Sequence, residues 1–352
     1  MSDSQQPLAI SCPAPSRTGN VIRLGHGSGG KLSSRLIEDL FLPLLGNEIL
    51  SQLDDAALLD LGSGQIAITT DSYVVTPIFF PGGDIGSLSV HGTLNDLAMR
   101  GARPLFMTAS FILEEGLSFD DLSRVAVSVN NACLENRITL VAADTKVVNK
   151  GAADKLFITT CGVGTVDQQP APGASRARPG DCVLLSGDVG RHGIAIMACR
   201  EELDLETSVS SDSAALHNVV QKMLSVPDSV HCLRDITRGG LASVLNELAA
   251  ASEIGVVVDE ENIPIHPEVR AVCELLGLDP FYVACEGRLV ALVAPERVDE
   301  LLAVMAEDPA ARASCVIGRA TTEHPGRVVM RSRVGGHRIL DKLSGDQLPR
   351  IC

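Results

Sequence analysis

Apolar and polar positions along the chain alternate between two periods, and the change of period marks the elements. The run Gln65-Ile-Ala-Ile-Thr-Thr-Asp71 predicts a short buried strand ending on an acid. Residues 84–102 carry a helical period, although Asn95 and Asp96 interrupt its apolar face. Residues 104–113 predict a strand, and 118–136 a helix with Ser118 as N-cap and Asp121 at the third helical position. Strands over 137–145 and 154–166 follow, the first running out at Asp144. The order β-α-β-α-β-β predicts an α/β (α+β) layer with a mixed sheet.

Residues 167–181 are dense in Pro, Gly and Ala and predict a linker. Periodic elements then resume. Strands are expected at 182–187, 254–259, 288–294, 314–320 and 326–331. Helices are expected at 190–201, 211–224, 239–252, 266–276 and 295–307. The second half therefore has its own core, and 352 residues exceed the size at which one core stops growing. The expected organisation is a disordered leader over 1–20, domains over 21–168 and 182–342 joined by 169–181, and a mobile tail over 343–352.

Composition narrows the function classes. With 44 acids against 29 bases the formal charge is −15, which repels nucleic acid and anionic membrane surfaces. An anionic substrate then needs local Lys, Arg, backbone N–H groups or a cation. No stretch of about 18 apolar residues is present to span a bilayer. The ten cysteines include no CxxC pair, so zinc spacing is missing and a reducing cytoplasmic setting is expected.

The segment Gly25-His-Gly-Ser-Gly-Gly-Lys31 precedes an apolar helical pattern. Its glycines let backbone N–H groups close on an anion at a helix start. The spacing is neither a Walker A loop nor a dinucleotide fingerprint. Taken alone, it reads equally as a flexible Gly-rich leader. Asp54, Asp55, Asp71, Asp96 and Asp144 add carboxylates without a His/Cys cluster. Any one of them is also an ordinary cap or turn residue. Together they suit a hard cation such as Mg²⁺, and with the Gly-rich loop they point to a nucleoside triphosphate. Lys146 stands two residues after Asp144, placed for phosphate charge or for a surface ion pair. The segment Arg234-Asp-Ile-Thr-Arg-Gly-Gly240 opens another helix, where Thr237 also serves as a plain N-cap. Glu286, between an apolar run and a strand, is placed for a raised pKa and general-base work, or for an ordinary turn. His26 and His192 sit in Gly-rich loops with no assigned role.

These segments occur in one order: HGSGGK, TDSYVVTPIFFPGG, NDLA, FILEEG, DTKVV, SGDVGRHG, RDITRGGL, EGRLV and the terminal PRIC. In that combination the chain resembles the HypE family of hydrogenase maturation proteins. That family lies in the ATP-binding superfamily typified by aminoimidazole ribonucleotide synthetase, and the likeness covers about residues 21–352. The resemblance implies a two-domain PurM-like fold whose N-terminal sheet pairs across a homodimer. It implies a carbamoyl group received on the C-terminal cysteine from the transferase HypF, and ATP-driven dehydration to a thiocyanate. It further implies delivery to iron on a HypC–HypD complex as the cyanide ligand of a [NiFe]-hydrogenase. By motif, Cys352 becomes the carrier thiol, and Lys146 and Glu286 flank the thiocarbamate. Asp54, Asp55, Asp71, Asn95, Asp96 and Asp144 become the ATP and Mg²⁺ positions, and Gly27, Ser28, Gly29 and Gly30 the phosphate loop. Ala143, Cys285, Arg288 and His91 depart from the residues commoner there. The rivals are a selenophosphate synthetase or a small-molecule kinase, neither of which needs a terminal cysteine, and a non-catalytic assembly scaffold. Ten tail residues reach about 30 Å when extended, enough to carry a thiol between a partner and an internal site.

Overall fold

The computed structural model describes residues 22–62, 64–167, 170–200, 207–343 and 351–352. The expected leader over 1–20, and all but the ends of the expected tail, lie outside the described residues.

The N-terminal half is built on a five-stranded mixed sheet. Its strands are β1 (Ala57–Asp60), β2 (Gln65–Tyr73), β5 (Arg103–Glu114), β6 (Thr139–Val148) and β7 (Leu156–Val166), in spatial order β1-β2-β7-β5-β6. A two-residue pair, β3 (Phe79–Phe80) and β4 (Gly83–Asp84), precedes the helices. Only β5 and β6 run parallel. Helices α3 (Ile85–Met99) and α4 (Phe119–Glu135) belong to this half. Strand β7 alternates strictly between buried and half-buried residues, as a sheet with one covered face requires. Helix α3 is buried nearly all round, which explains its weak amphipathic pattern. The Asp84 carboxylate caps it through the Gly86 and Ser87 N–H groups. Ser118 caps α4 as expected, accepting from the Asp121 N–H at 3.0 Å.

The second half carries a seven-stranded sheet in the order β14-β13-β10-β12-β8-β11-β9. Its strands are β8 (Cys182–Leu185), β9 (Val230–Asp235), β10 (Gly255–Asp259), β11 (Leu289–Val293), β12 (Cys315–Thr321), β13 (Val328–Arg331) and β14 (His337–Ile339). Helices α5 (Arg191–Ala198), α6 (His217–Leu224), α7 (Gly240–Ala251), α8 (Pro267–Leu276) and α9 (Val298–Ala306) surround it. Burial here falls on Val, Leu, Ile and Ala, as a chain without Trp requires.

Four features differ from the sequence reading. Strands β1, β9 and β14 had no period to announce them, because short strands with charged ends look like loops. The helix after the Gly-rich loop is broken into α1 (Lys31–Leu36), a π turn over Ile37–Phe41 and α2 (Leu42–Leu45). Pro43 has no N–H to return to the Asp39 carbonyl, and the wider turn falls there. Helix α6 starts at His217 rather than 211. The Pro/Gly-rich stretch is not loose, since Ala171, Ala174 and Ala177 are buried.

One apolar cluster joins the two halves. It contains Tyr73, Val75, Ile78 and Leu88 from the first and Ile194, Val209, Val269 and Val283 from the second, and it closes around Ile351.

Candidate active site

The site forms where β2, α3 and β9 approach one another. Asp55 precedes β1, Asp96 lies in α3 and Asp235 ends β9, and their carboxylate oxygens come within 4.8 Å of each other. Thr69 of β2 donates its hydroxyl to Asp96 at 2.7 Å. The Arg234 guanidinium pairs with Asp55 at 3.1 Å and with Glu247 at 3.0 Å. Burial, only partly offset by Arg234, pushes Asp55 up to about 6. Burial and the neighbouring acids hold Asp96 and Asp235 well above the usual carboxylate range. Three mutually repelling, oxygen-only donors, Asp235 buried and Asp55 and Asp96 half-buried, against one guanidinium form a set that a hard divalent cation would neutralise, so the residues fit Mg²⁺. Asp71 is half-buried on β2, on the same face as Thr69 and Tyr73, and its charge raises Asp96, Asp235 and Glu286.

The Gly-rich loop closes one side of the same space. A cavity of about 320 Å³ is lined by Gly27, Gly29, Asp55, Asp235, Thr237 and Arg238, among others. Gly29 has φ +75°, and a Cβ there would fall 2.5 Å from the Arg238 carbonyl oxygen, so only glycine fits. The Gly29 carbonyl accepts from Ser243 Oγ at 3.0 Å, and the Gly27 carbonyl from Arg238 Nη1 at 3.2 Å. The Gly-rich loop is thereby docked on the start of α7. The two segments read as separate anion sites form one wall.

The end of the chain enters from the other side. Ile351 is buried and forms an antiparallel bridge with Val75, and the Val74 N–H donates to the Cys352 carbonyl oxygen at 3.0 Å. The Cys352 thiol lies beside the Glu286 carboxyl, Arg238 and Asp71. Burial raises the Cys352 thiol above its ordinary range against the opposing effect of Arg238. Glu286 is itself buried, with Oε1 lacking any partner among the described residues. Burial, together with Asp235, Asp71 and Asp212, holds its carboxyl well above the usual range. Its backbone is fixed by Asp212, which accepts the Glu286 N–H at 3.1 Å.

Four of the expected residues are placed elsewhere. Asp54 spends both oxygens inside the protein, on Arg100 at 2.5 Å and on the Ala174 N–H at 2.9 Å, and does not face the cluster as a metal ligand. Asn95 spends its amide on the protein backbone as well. It donates to the carbonyls of Ala214 and Glu286 and accepts from the Leu216 N–H at 2.8 Å. It therefore supports Glu286 rather than a nucleotide. Asp144 cannot share an ion with Asp71 of the same chain. Asp71 pairs with Thr160, Thr160 with Ala109, and Ala109 with Ala143. Three strand spacings, about 14 Å, separate β2 from β6 in that row. Lys146 lies on the same outer strand, exposed and paired with Asp144 at 2.7 Å. In the other direction, Asp235 and Arg238 were visible in the sequence as part of an anion-binding turn, but not as members of the acid cluster and thiol site.

The family description "AIR synthase related protein, N-terminal domain" matches residues 53–166, and its C-terminal counterpart matches 178–331. The carbamoyl dehydratase HypE of Cupriavidus necator is 51% identical over 349 residues, covering 99% of this chain and 97% of that protein. The chain belongs to the HypE family. A crystal structure of HypE in complex with ATP superposes with a TM-score of 0.79 at 50% identity, covering 93% of this chain and 98% of that one. A HypE–HypF complex gives 0.83 at 40% identity, covering 88% and 99%. The two halves described above are thus the two PurM-like domains of a HypE, a family of carbamoyl dehydratases active in hydrogenase maturation.

Proposed function

We propose that the chain dehydrates an S-carbamoyl group carried on its own Cys352 to a thiocyanate, with ATP as the co-substrate. The observation that carries this reading is the Cys352 thiol lying against the Glu286 carboxyl, beside the acid cluster and the Gly-rich loop. No other nucleophile is needed, because the chain's own end occupies the substrate position. A small-molecule kinase on the same fold would have to leave this space open to its substrate.

An amide oxygen is a weak nucleophile, and hydroxide leaves poorly. In the proposed path the carbamoyl oxygen bonds to the γ-phosphorus of ATP as the bond to ADP breaks. A proton then leaves the nitrogen, the C–O bond breaks with release of phosphate, and loss of the second N–H proton leaves S–C≡N. The residues supply position and charge for this sequence. Arg238 offers a fixed cation beside the sulfur, and the Gly27–Gly30 backbone offers N–H groups for phosphate oxygens. Glu286, deprotonated, takes the proton from the nitrogen. Burial favours its neutral form and so strengthens it as a base. Asp55, Asp96 and Asp235, with Asp71 beside them, would hold Mg²⁺, which when bound supplies charge neutralisation for the phosphates.

Lys146 and Asp144 enter this reading only across a homodimer. Strand β6 is exposed along almost its whole length, with Leu140, Val141 and Val147 uncovered and Phe106 of β5 beside it. Such an apolar, unpaired sheet edge calls for a covering partner, and a second copy would bring Lys146 toward its neighbour's site. The carbamoyl donor is proposed to be HypF, and the acceptor of the cyano group a HypC–HypD iron complex, in a cytoplasmic setting. Among the described residues no helix is long and apolar enough to cross a membrane.

The test is ATP turnover by the carbamoylated chain. Phosphate release should match the loading of Cys352 one for one, and Cys352→Ala should release none above background. Equal turnover by Cys352→Ala would end the proposal.

A further inference from the structure

His192 is fully buried, and the dehydration chemistry makes no use of it. It stands at the start of α5, edge-on to the Phe80 ring with the centroids 5.5 Å apart. Its two nitrogens have different partners. Nε2 lies 2.5 Å from the carbonyl oxygen of Ile351, and Nδ1 lies 2.8 Å from Ser211 Oγ. Ser211 Oγ in turn accepts the Ser213 N–H at 3.1 Å.

The chemistry of these groups fixes the direction of every bond. A carbonyl oxygen only accepts, so Nε2 must carry the proton and donate it to Ile351. In a neutral ring Nδ1 is then an acceptor, so the Ser211 hydroxyl must be its donor. The Ser211 oxygen remains free to accept from Ser213, and it does. The relay from Ser213 through Ser211 and His192 ends on the backbone of the tail. Burial lowers the pKa of His192, which keeps the ring in the neutral form that this chain of bonds requires. The Ile351 side chain packs into the cluster joining the two domains, while Val74 holds the last carbonyl oxygen from the opposite side.

We propose that His192 is a positioning residue, a latch that holds the C-terminal carrier in its inward pose by donating Nε2–H to the Ile351 carbonyl. The bond goes to backbone, so it fixes depth and register rather than reading a side chain. Cys352 is then set at Glu286 by one hydrogen bond and one buried side chain. Both can be given up together when the thiol travels. The inference rests on the reading of Cys352 as a carrier, but its test uses neither ATP nor a carbamoyl group.

The experiment follows iodoacetamide alkylation of Cys352 in the full chain by peptide mass mapping. When the tail reseats faster than it reacts, the alkylation rate follows the population of the undocked tail. Loss of one hydrogen bond predicts a rise of about 5- to 10-fold for His192→Ala, with His192→Gln, which keeps an N–H donor, nearer the parent. Ile351→Ala, which empties a buried position on the tail itself, should raise the rate at least about 10-fold. If Ile351→Ala accelerates labelling and His192→Ala does not, the latch is overturned. If neither does, the docked pose itself is overturned. Should His192→Ala fail to fold, His192→Phe, which keeps an aromatic ring but has no N–H donor, serves instead, and a folded His192→Phe chain labelled at the parent rate also overturns the proposal. A negative result leaves the dehydratase reading standing, since that reading stands or falls on turnover of the carbamoylated chain.

Discussion

The thiol of Cys352 lies beside the carboxyl of Glu286, so the last residue of the chain is seated next to a buried acid of the second domain. Both groups lie where burial opposes charge, and each is held toward its neutral form. The pair defines where a group carried on sulfur would be when a proton has to leave it.

Glu286→Gln keeps the size and the hydrogen-bonding capacity of the side chain but removes the base. Dehydration of the carbamoylated chain should fall by about 100-fold or more in single turnover. Carbamoylation of Cys352 by the external transferase should be unchanged, because the proposed reading has it occur with the tail outside. Undiminished dehydration would remove Glu286 from the mechanism.

The acid cluster sets a pH dependence with a definite sign. Asp55 is raised from 3.8 to about 6, and Asp96 and Asp235 are raised as well. A carboxyl raised on folding contributes stability that is present below its unfolded pKa and is lost as pH rises through the folded one. Without divalent cation, the contribution of Asp55 therefore falls between about pH 4 and pH 6. Mg²⁺ should restore it, and the Mg²⁺-induced rise in Tm should be larger at pH 8 than at pH 5. A scanning calorimetry series at both pH values, with and without Mg²⁺, checks this; a rise independent of pH would contradict it.

Adjacent residues Asp54 and Asp55 should separate cleanly. Asp54→Asn breaks a pair in which both partners are nearly buried, and should cost about 3 kcal/mol in urea unfolding with Mg²⁺ affinity retained by the folded fraction. Asp55→Asn should weaken Mg²⁺ binding in calorimetric titration at a smaller stability cost. The reverse pattern would return Asp54 to the metal site.

If Lys146 acts across a dimer, two inactive variants should complement each other. Lys146→Ala and Glu286→Gln chains, unfolded and refolded together, should recover up to about a quarter of the parent activity. That is the share expected for one intact composite site in the half of the dimers that are mixed. No recovery in demonstrably mixed dimers would place Lys146 outside the partner's site.

Local features of this site could be read from the sequence, and those that depend on strand order could not. The Gly-rich loop, the acid Asp71 within β2, the Asp96 interruption of α3 and the terminal cysteine each break a local pattern, so each stood out. Asp71 and Asp144 look equivalent in sequence, since each closes an apolar run, although both lie inside their strands, Gln65–Tyr73 and Thr139–Val148. Only the order β2-β7-β5-β6 puts them about 14 Å apart. Asp235 stands within an anion-binding turn, yet its strand, Val230–Asp235, has no clear alternation to reveal that it is the third carboxylate of the cluster. Asn95 and Asp96 are neighbours on one helix. A helix turns about 100° per residue, so one faces the acids and the other the second domain. His192 stood out only as a histidine among glycines, and its partner is a backbone carbonyl at the far end of the chain.

The most direct test is the intact mass of the chain after carbamoylation of Cys352 and a single turnover with ATP and Mg²⁺. The account predicts that the carbamoyl adduct loses the mass of one water, and that the remaining cyano group maps to the Cys352 peptide. An adduct that persists unchanged while ATP is consumed, or a cyano group on any other residue, would contradict it.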